Sequence, residues 1–241
     1  MDFCFRELRA HYEDEGTGAP LLLLNGVYMN CRSWDRVVGE LLDGHRVVRL
    51  DFFDQGRSER PAHDYPIDLQ CDLVVALLDE LGLRHTDILA TSYGGVVALQ
   101  VASRYPDRVG RLIVTNTAAH FPPSFHILTL ALASTFDRLS WLQPHVFDSL
   151  SRITRSIDGV DERKRLRDIT CPTLVVSTQW DNLTPPRLQK ELVAGIPDVT
   201  YARIEGCGHV VVHERPHELA ALAKRFLAGE PVAASPIHSP A

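Results

Sequence analysis

The sequence predicts one α/β domain built around a mostly parallel sheet. Short apolar runs typical of buried strands alternate along the chain with segments whose apolar residues recur at helical spacing. The chain has 241 residues, 45% of them hydrophobic, which suffices for one such domain and is too little for two. Because parallel strands need crossover connections, the alternation predicts helices on both faces of the sheet.

Residues 1–116 form the first part of the predicted core. We expect an opening antiparallel pair with a turn at Gly16-Thr17-Gly18, and then an apolar run at residues 21–24 that is typical of a strand buried on both faces. One helix is expected around Leu77, and a second one is expected to end at about Tyr105. The predicted strands lie at residues 3–5, 8–13, 21–24, 46–50, 88–91 and 112–116.

A sharp strand-to-helix turn is predicted within A-T-S-Y-G-G, residues 90–95. The small residues Ala90 and Gly94 flank Ser92, as a strained turn requires of its neighbours. Such a turn places the serine hydroxyl above the sheet at a helix N-terminus, where negative charge is favoured. A plain turn with an N-cap serine is the alternative interpretation.

The alternation of strands and helices is interrupted at residues 117–165. Two helical segments are predicted there, one through Phe125 and Phe136 and one through Trp141 and Leu150. Their place between two strands predicts a small helical cap over the serine, with apolar side chains lining an acyl pocket. Ordinary helix packing is the alternative, and most of these side chains are expected to lie in the core.

Residues 166–228 form the second part of the predicted core and contain two polar residues of interest. Strands are predicted at residues 173–176 and 199–204, with Asp181 in the loop behind the first and His209 in the loop behind the second. Parallel sheets place their sites at these strand ends. The order serine, acid, histidine therefore predicts a catalytic triad of Ser92, His209 and Asp181.

Two helices complete the predicted core. Thr184 is expected to cap the first, with Pro185 at its first position and an end at Gly195. The last helix is expected to begin near Pro216. Residues 229–241, rich in Pro, Ala and Ser, are predicted to be a disordered tail.

From about Leu8 to Ala228 the chain resembles the α/β-hydrolase family. The resemblance rests on L-L-L-L-N-G-V-Y, D-F-F-D-Q-G-R-S, the serine turn, the acid loop and G-C-G-H. The chain departs from the family pattern at Asn25-Gly26, where relatives usually have His-Gly, and at Ala90, where many have Gly. Asn25 can still donate a hydrogen bond and Ala90 is still small, so both are compatible with catalysis.

The resemblance and the expected geometry together assign an oxyanion hole to the backbone N–H groups of Val27 and Tyr93. Asn25, Tyr28 and Trp180 are candidate substrate-binding residues, although packing at the core or rim is an equal alternative for the two aromatic side chains. The family's turn behind the second core strand corresponds to Asp51, Gly56 and Ser58, which we interpret as architectural. Cys207 follows a strand without a sharp turn and is interpreted as a neighbour of the site.

Three functions remain open at this stage. The first is a serine hydrolase that cleaves a small carboxylic ester or acyl thioester through an acyl-serine. The second is an acyltransferase or thioesterase acting on hydroxyacyl thioesters, with an acyl carrier as a possible partner. It is favoured because V-S-T-Q-W-D and R-I-E-G-C-G-H are similar to segments of the hydroxyacyl-chain synthases of rhamnolipid assembly. The third is a non-catalytic small-molecule-binding protein on the same fold.

Composition and charge argue against other partners. The formal net charge is −6 and no basic patch is interleaved with aromatic residues, so nucleic acid is not expected to bind. The five cysteines are scattered without metal-ligand spacing, which favours reduced thiols in the cytoplasm. The cap histidines His120, His126 and His145 show no ligand spacing either, and neither a metal nor a cofactor is expected. No apolar run is long enough to be a signal peptide or a membrane span.

Overall fold

A computed structural model describes residues 1–233, whose strands form one eight-stranded sheet. The strands are β1 (Asp2–Phe5), β2 (Leu8–Gly16), β3 (Ala19–Leu24), β4 (His45–Leu50), β5 (Thr86–Thr91), β6 (Val109–Thr115), β7 (Thr173–Thr178) and β8 (Val199–Ile204). Their order across the sheet is β1-β2-β4-β3-β5-β6-β7-β8. The first two pairings are antiparallel and the others are parallel, which confirms the predicted α/β class.

Helices cover both faces of the sheet. Alternate residues of β3 enter different buried clusters: Leu22 and Leu24 pack with one set of helices, and Leu21 and Leu23 pack with the other. All four side chains are fully buried, as the continuous apolar run predicts. The α-helices are α1 (Asp35–Leu41), α2 (Asp68–Glu80), α3 (Tyr93–Arg104), α4 (Pro123–Leu139), α5 (Pro144–Ser156), α6 (Pro186–Gly195), α7 (Val211–Glu214) and α8 (Pro216–Leu227).

The opening strands pair as predicted, but the turn between them lies elsewhere. β1 and β2 are antiparallel as expected, but the tight turn between them lies at Arg6 and Glu7, both with positive φ. The predicted turn around Gly16 instead connects β2 to β3, and β2 then pairs with β4. The reason is that β3 already has β4 and β5 as its parallel neighbours.

The segment between β6 and β7 folds into α4 and α5, which pack against each other. α5 is held to the core by Arg152, whose guanidinium contacts the Asp54 carboxylate in the loop behind β4. The expectation that most apolar side chains here lie in the core is wrong: Leu128 is 59% and Trp141 76% exposed. The physical reason is that α4 packs mainly against α5, which covers only part of its circumference, and that Trp141 lies in the turn after α4.

The C-terminal region corrects one prediction and confirms another. α6 begins at Pro186 rather than Pro185, and Pro185 occupies the N-cap position. Thr184 cannot cap this helix because its hydroxyl bonds the Asp181 carboxylate. α8 begins at Pro216, as predicted.

Residues 229–233 contain no helix or strand, and the rest of the predicted disordered tail lies outside the described residues. Within residues 1–233, none of the helices combines the length and the apolar character needed to cross a bilayer.

Candidate active site

Ser92 occupies a strained turn between β5 and α3. Its φ of 50° and ψ of −117° lie in a region that non-glycine residues rarely adopt. The turn is fixed by its backbone, because the Ser92 N–H donates to Thr115 O at 2.9 Å and the Thr117 hydroxyl donates to Ser92 O at 2.8 Å. A Cβ at Gly94 would lie 2.5 Å from Leu24 O, so this position requires a residue without a side chain.

The structure brings Ser92, His209 and Asp181 into one hydrogen-bonded chain. The Ser92 Oγ lies 2.9 Å from His209 Nε2, and His209 Nδ1 lies 2.9 Å from Asp181 Oδ1. The three residues follow β5, β8 and β7 at the carboxyl edge of the sheet. With Nδ1–H donated to the carboxylate, Nε2 is left free to accept the serine proton.

Asp181 is held as a carboxylate by its neighbours. Its side chain is 1% exposed, and Oδ1 also accepts the N–H groups of Leu183 and Thr184, each at 2.9 Å. Burial raises the pKa of this carboxyl, but the hydrogen bond and charge of His209, together with the Thr184 hydrogen bonds, lower it further. The net pKa therefore lies below its ordinary value.

Two polar residues that sequence analysis did not single out hold the loop that carries His209. The Asn116 side-chain amide donates to His209 O at 2.7 Å, and the Thr178 hydroxyl donates to Gly208 O at 2.7 Å. Thr178 is the last residue of β7 and Asn116 directly follows β6. Their position at the same sheet edge as Asp181 is a signal that could have identified them.

Val27 and Tyr93, whose backbone N–H groups are the expected oxyanion donors, line the same cavity as Ser92. Tyr93 is the first residue of α3, so its N–H has no intrahelical partner. Neither N–H has an acceptor within the part of the chain that the structure describes. A Cβ at Gly26 would be 3.4 Å from Ser92 Cβ, which shows how closely the loop behind β3 approaches the serine.

A cavity of about 340 Å³ opens above Ser92. Its walls come from the loop behind β3, the serine turn and the helices α4 and α5. None of the described residues that line it is Asp, Glu, Lys or Arg. The lining residues are Gly26, Val27, Tyr28, Met29, Thr91, Ser92, Tyr93, Thr117, Phe121, Phe125, Leu128, Thr129, Leu132, Thr154, Ile157, Leu183, Thr184, His209 and Val210.

Among the candidate substrate-binding residues, only Tyr28 lines this cavity. Asn25 is fully buried beneath it, where its amide donates to Leu50 O and accepts from Trp34 Nε1, each at 2.7 Å. We correct the expectation for Asn25, because its amide is already engaged in holding the β3 end to its neighbours. Trp180 is 60% exposed and does not line the cavity, so we also correct the expectation that it binds substrate.

One buried group of residues among those described has metal-ligating side chains close together: His11, Cys31 and Asp51, with ligand atoms within 4.8 Å. The Asp51 carboxylate oxygens accept the N–H groups of Cys31 at 2.7 Å and Arg57 at 2.8 Å, and His11 Nδ1 lies 2.7 Å from an Asp2 oxygen. These hydrogen bonds give Asp51 the architectural role expected for its turn.

A strained serine turn behind β5, with an acid behind β7 and a histidine behind β8, defines the α/β-hydrolase class. The chain belongs to the Alpha/beta hydrolase family, whose model matches residues 21–222.

The similar proteins of known activity include hydrolases. The chain is 28% identical over 263 residues to 2-hydroxymuconate semialdehyde hydrolase of Pseudomonas sp. (strain CF600), covering 94% of this chain and 93% of that protein. It is 25% identical to 2-hydroxy-6-oxo-6-phenylhexa-2,4-dienoate hydrolase of Comamonas testosteroni, covering 90% of each. Among solved structures, the alpha/beta hydrolase MGS-M2 from a Medee basin deep-sea metagenome library has a TM-score of 0.89 and 27% identity, covering 98% and 99%. These relatives support hydrolase activity for this chain.

Proposed function

We propose that this protein is a serine hydrolase that cleaves a neutral carboxylic ester or acyl thioester through an acyl-Ser92 intermediate. The observation that carries the proposal is the series of hydrogen bonds from Ser92 Oγ through the His209 ring to the Asp181 carboxylate, with both distances at 2.9 Å. Ser92 and His209 line an apolar cavity of about 340 Å³, which is large enough for an acyl group. A nucleophile, a base and a group that orients the base are the parts that acyl transfer requires.

In the proposed reaction, Ser92 Oγ attacks the acyl carbon while His209 Nε2 takes the hydroxyl proton. The imidazolium that forms is stabilised by the Asp181 carboxylate and gives its proton to the leaving alkoxide or thiolate as the acyl–oxygen or acyl–sulfur bond breaks. Water then attacks the acyl-serine with His209 again as base. The products are a carboxylic acid and an alcohol or thiol, and Ser92 regains its proton.

The negative oxygen of each tetrahedral intermediate needs hydrogen-bond donors. We assign this role to the N–H groups of Val27 and Tyr93, since both residues line the cavity together with Ser92 and neither N–H has an acceptor among the described residues. The Tyr93 side chain is fixed by burial and by its hydroxyl contact with Ser156 Oγ at 3.0 Å, so its N–H is held in place before substrate binds. One such donor contributes about 3 kcal/mol of transition-state stabilisation.

The cavity favours an uncharged, apolar acyl group. The name of the Comamonas relative specifies a dienoate, which is an anion, and an anion in a dry pocket needs a cationic partner. None of the described lining residues is Lys or Arg. Hydrolysis of such an anion is therefore less well supported here than hydrolysis of an uncharged ester.

The chain is also 24% identical to a haloalkane dehalogenase of Psychrobacter cryohalolentis, covering 93% of this chain. Displacement of a halide from carbon calls for a carboxylate nucleophile, and the position between β5 and α3 holds Ser92. The serine supports acyl chemistry instead.

A panel of p-nitrophenyl esters and acyl thioesters tests the proposal. We expect turnover of uncharged acyl chains, weak turnover of esters whose acyl group carries a terminal carboxylate, and loss of both in Ser92→Ala. Product analysis with added alcohols decides between water and another hydroxyl as acceptor: an ester product would establish acyl transfer. No turnover of any ester or thioester by the folded protein would refute the proposal.

A further inference from the structure

We infer that Glu214 is a positioning residue for His209, an inference that rests on the proposed function. Glu214 ends α7, and its carboxylate reaches back to the loop in front of that helix. One oxygen accepts the Gly208 N–H at 2.8 Å and the other accepts the Val210 N–H at 3.3 Å. A single carboxylate therefore bridges the two backbone amides on either side of His209.

The Glu214 bridge completes a set of side chains that fixes this loop. Asn116 and Thr178 hold the carbonyl groups of His209 and Gly208 from the sheet edge. Glu214 holds amide groups of the same segment from α7. Because both the carbonyls and the amides are engaged, the peptide planes around His209 cannot rotate freely, and the ring keeps its direction toward Ser92.

The position of Glu214 is itself fixed by packing. Val211 and Val212, the first two residues of α7, are fully buried in the cluster beneath the sheet. The Glu214 N–H donates to Val210 O at 3.1 Å, which closes the helical turn. The carboxylate is thus anchored through buried apolar contacts, although it lies at the surface.

This geometry predicts an effect on kcat rather than on KM. Glu214 is absent from the cavity lining, so it makes no contact of its own with a bound substrate. The imidazole of His209, in contrast, must keep its position relative to Ser92 Oγ, because a misplacement of about 1 Å costs about a hundredfold in rate. Loss of two charge-assisted hydrogen bonds from the loop should therefore lower kcat by about ten- to a hundredfold.

The kinetic test compares Glu214→Ala and Glu214→Gln with the control Glu205→Ala. Glu205 lies in the same loop and pairs with Arg203 at 3.1 Å, without a contact to the two bridged amides. We expect a reduced kcat with nearly unchanged KM in the alanine variant, an intermediate kcat in the glutamine variant, which keeps one acceptor, and wild-type values in the control. Rates are normalised to sites titrated with a fluorophosphonate, so a smaller folded fraction does not mimic the effect.

Hydrogen exchange separates this inference from the proposed function. In a Ser92→Ala background, which has no turnover, the Gly208 and Val210 amides should be protected with Glu214 present and exchange faster in Glu214→Ala. If wild-type protein has no esterase activity but this protection is seen, the proposed function fails while the bridge stands. Unchanged exchange, or a normalised kcat within twofold of wild type in Glu214→Ala, overturns the positioning role.

Discussion

Replacing Arg152 by Met should destabilise the protein strongly, because it leaves a buried carboxylate without its partner. The Asp54 side chain is fully buried and the Arg152 side chain is 13% exposed. Three contacts of 2.6–3.2 Å join the two groups, and the Ser149 hydroxyl adds one at 2.8 Å. Removing one partner of a buried pair costs about 3–5 kcal/mol. For a chain of this length that predicts a fall in Tm of about 6–20 °C.

The assay is urea-induced unfolding of four proteins: wild type, Arg152→Met, Asp54→Asn and the double variant. Asn tolerates the positive φ of 66° at position 54 and accepts the Ser149 hydrogen bond without a charge. The free energy of unfolding of the double variant should therefore be about 2 kcal/mol higher than that of Arg152→Met. Because α5 carries Thr154 of the cavity wall, the KM for an apolar ester should rise in Arg152→Met and recover in parallel.

Two results would refute this reasoning. If Arg152→Met lowered the free energy of unfolding by less than about 1 kcal/mol, the pair would behave like a solvent-screened surface ion pair. A double variant as unstable as Arg152→Met would show that the unpaired charge is not the cause.

Three further predictions concern the site and its support. Asp181→Asn should lower kcat by about 10³- to 10⁴-fold, since a neutral amide cannot stabilise the imidazolium. The folded carboxylate has a lowered pKa, so its contribution to stability is present above the unfolded pKa and is lost as pH falls through the folded pKa. Urea titrations at several pH values should accordingly show that the free energy of unfolding falls less on acidification in Asp181→Asn than in wild type. Gly94→Ala should cost about 3 kcal/mol by thermal unfolding, whereas Gly39→Ala, whose Cβ meets nothing within 4 Å, should not destabilise. Leu132→Arg should raise the KM for uncharged esters by about tenfold and lower it for anionic ones; the reverse order of KM values would contradict the apolar-pocket account.

The parts of the fold that follow from local pattern could be predicted from the sequence. The run at residues 21–24 is buried on both faces because each side chain of β3 meets one of two helical layers. The turn at Ser92 was predictable because its backbone tolerates only small neighbours, as the contact of a Cβ at Gly94 with Leu24 O shows. The places of Asp181 and His209 followed from the rule that parallel strands end at one edge.

Features that depend on competition between distant groups could not be predicted. The Asn25 amide was available in the sequence, but Leu50 and Trp34 engage it in the fold. Thr184 has the chemistry of a helix cap, and its hydroxyl is taken by Asp181. The pairing of β2 with β4 likewise depends on competition among several strands, and no local sequence pattern predicts it.

The nucleophilic role of Ser92 can be measured by mass spectrometry of the protein after treatment with a fluorophosphonate. We expect one covalent adduct, mapped to Ser92, that is absent in Ser92→Ala and forms far more slowly in His209→Ala. The two variants should also lose comparable esterase activity, because the residues act as a unit. An adduct on another residue, or labelling of Ser92 at the same rate without the His209 imidazole, would show that Ser92 is not the nucleophile activated by His209.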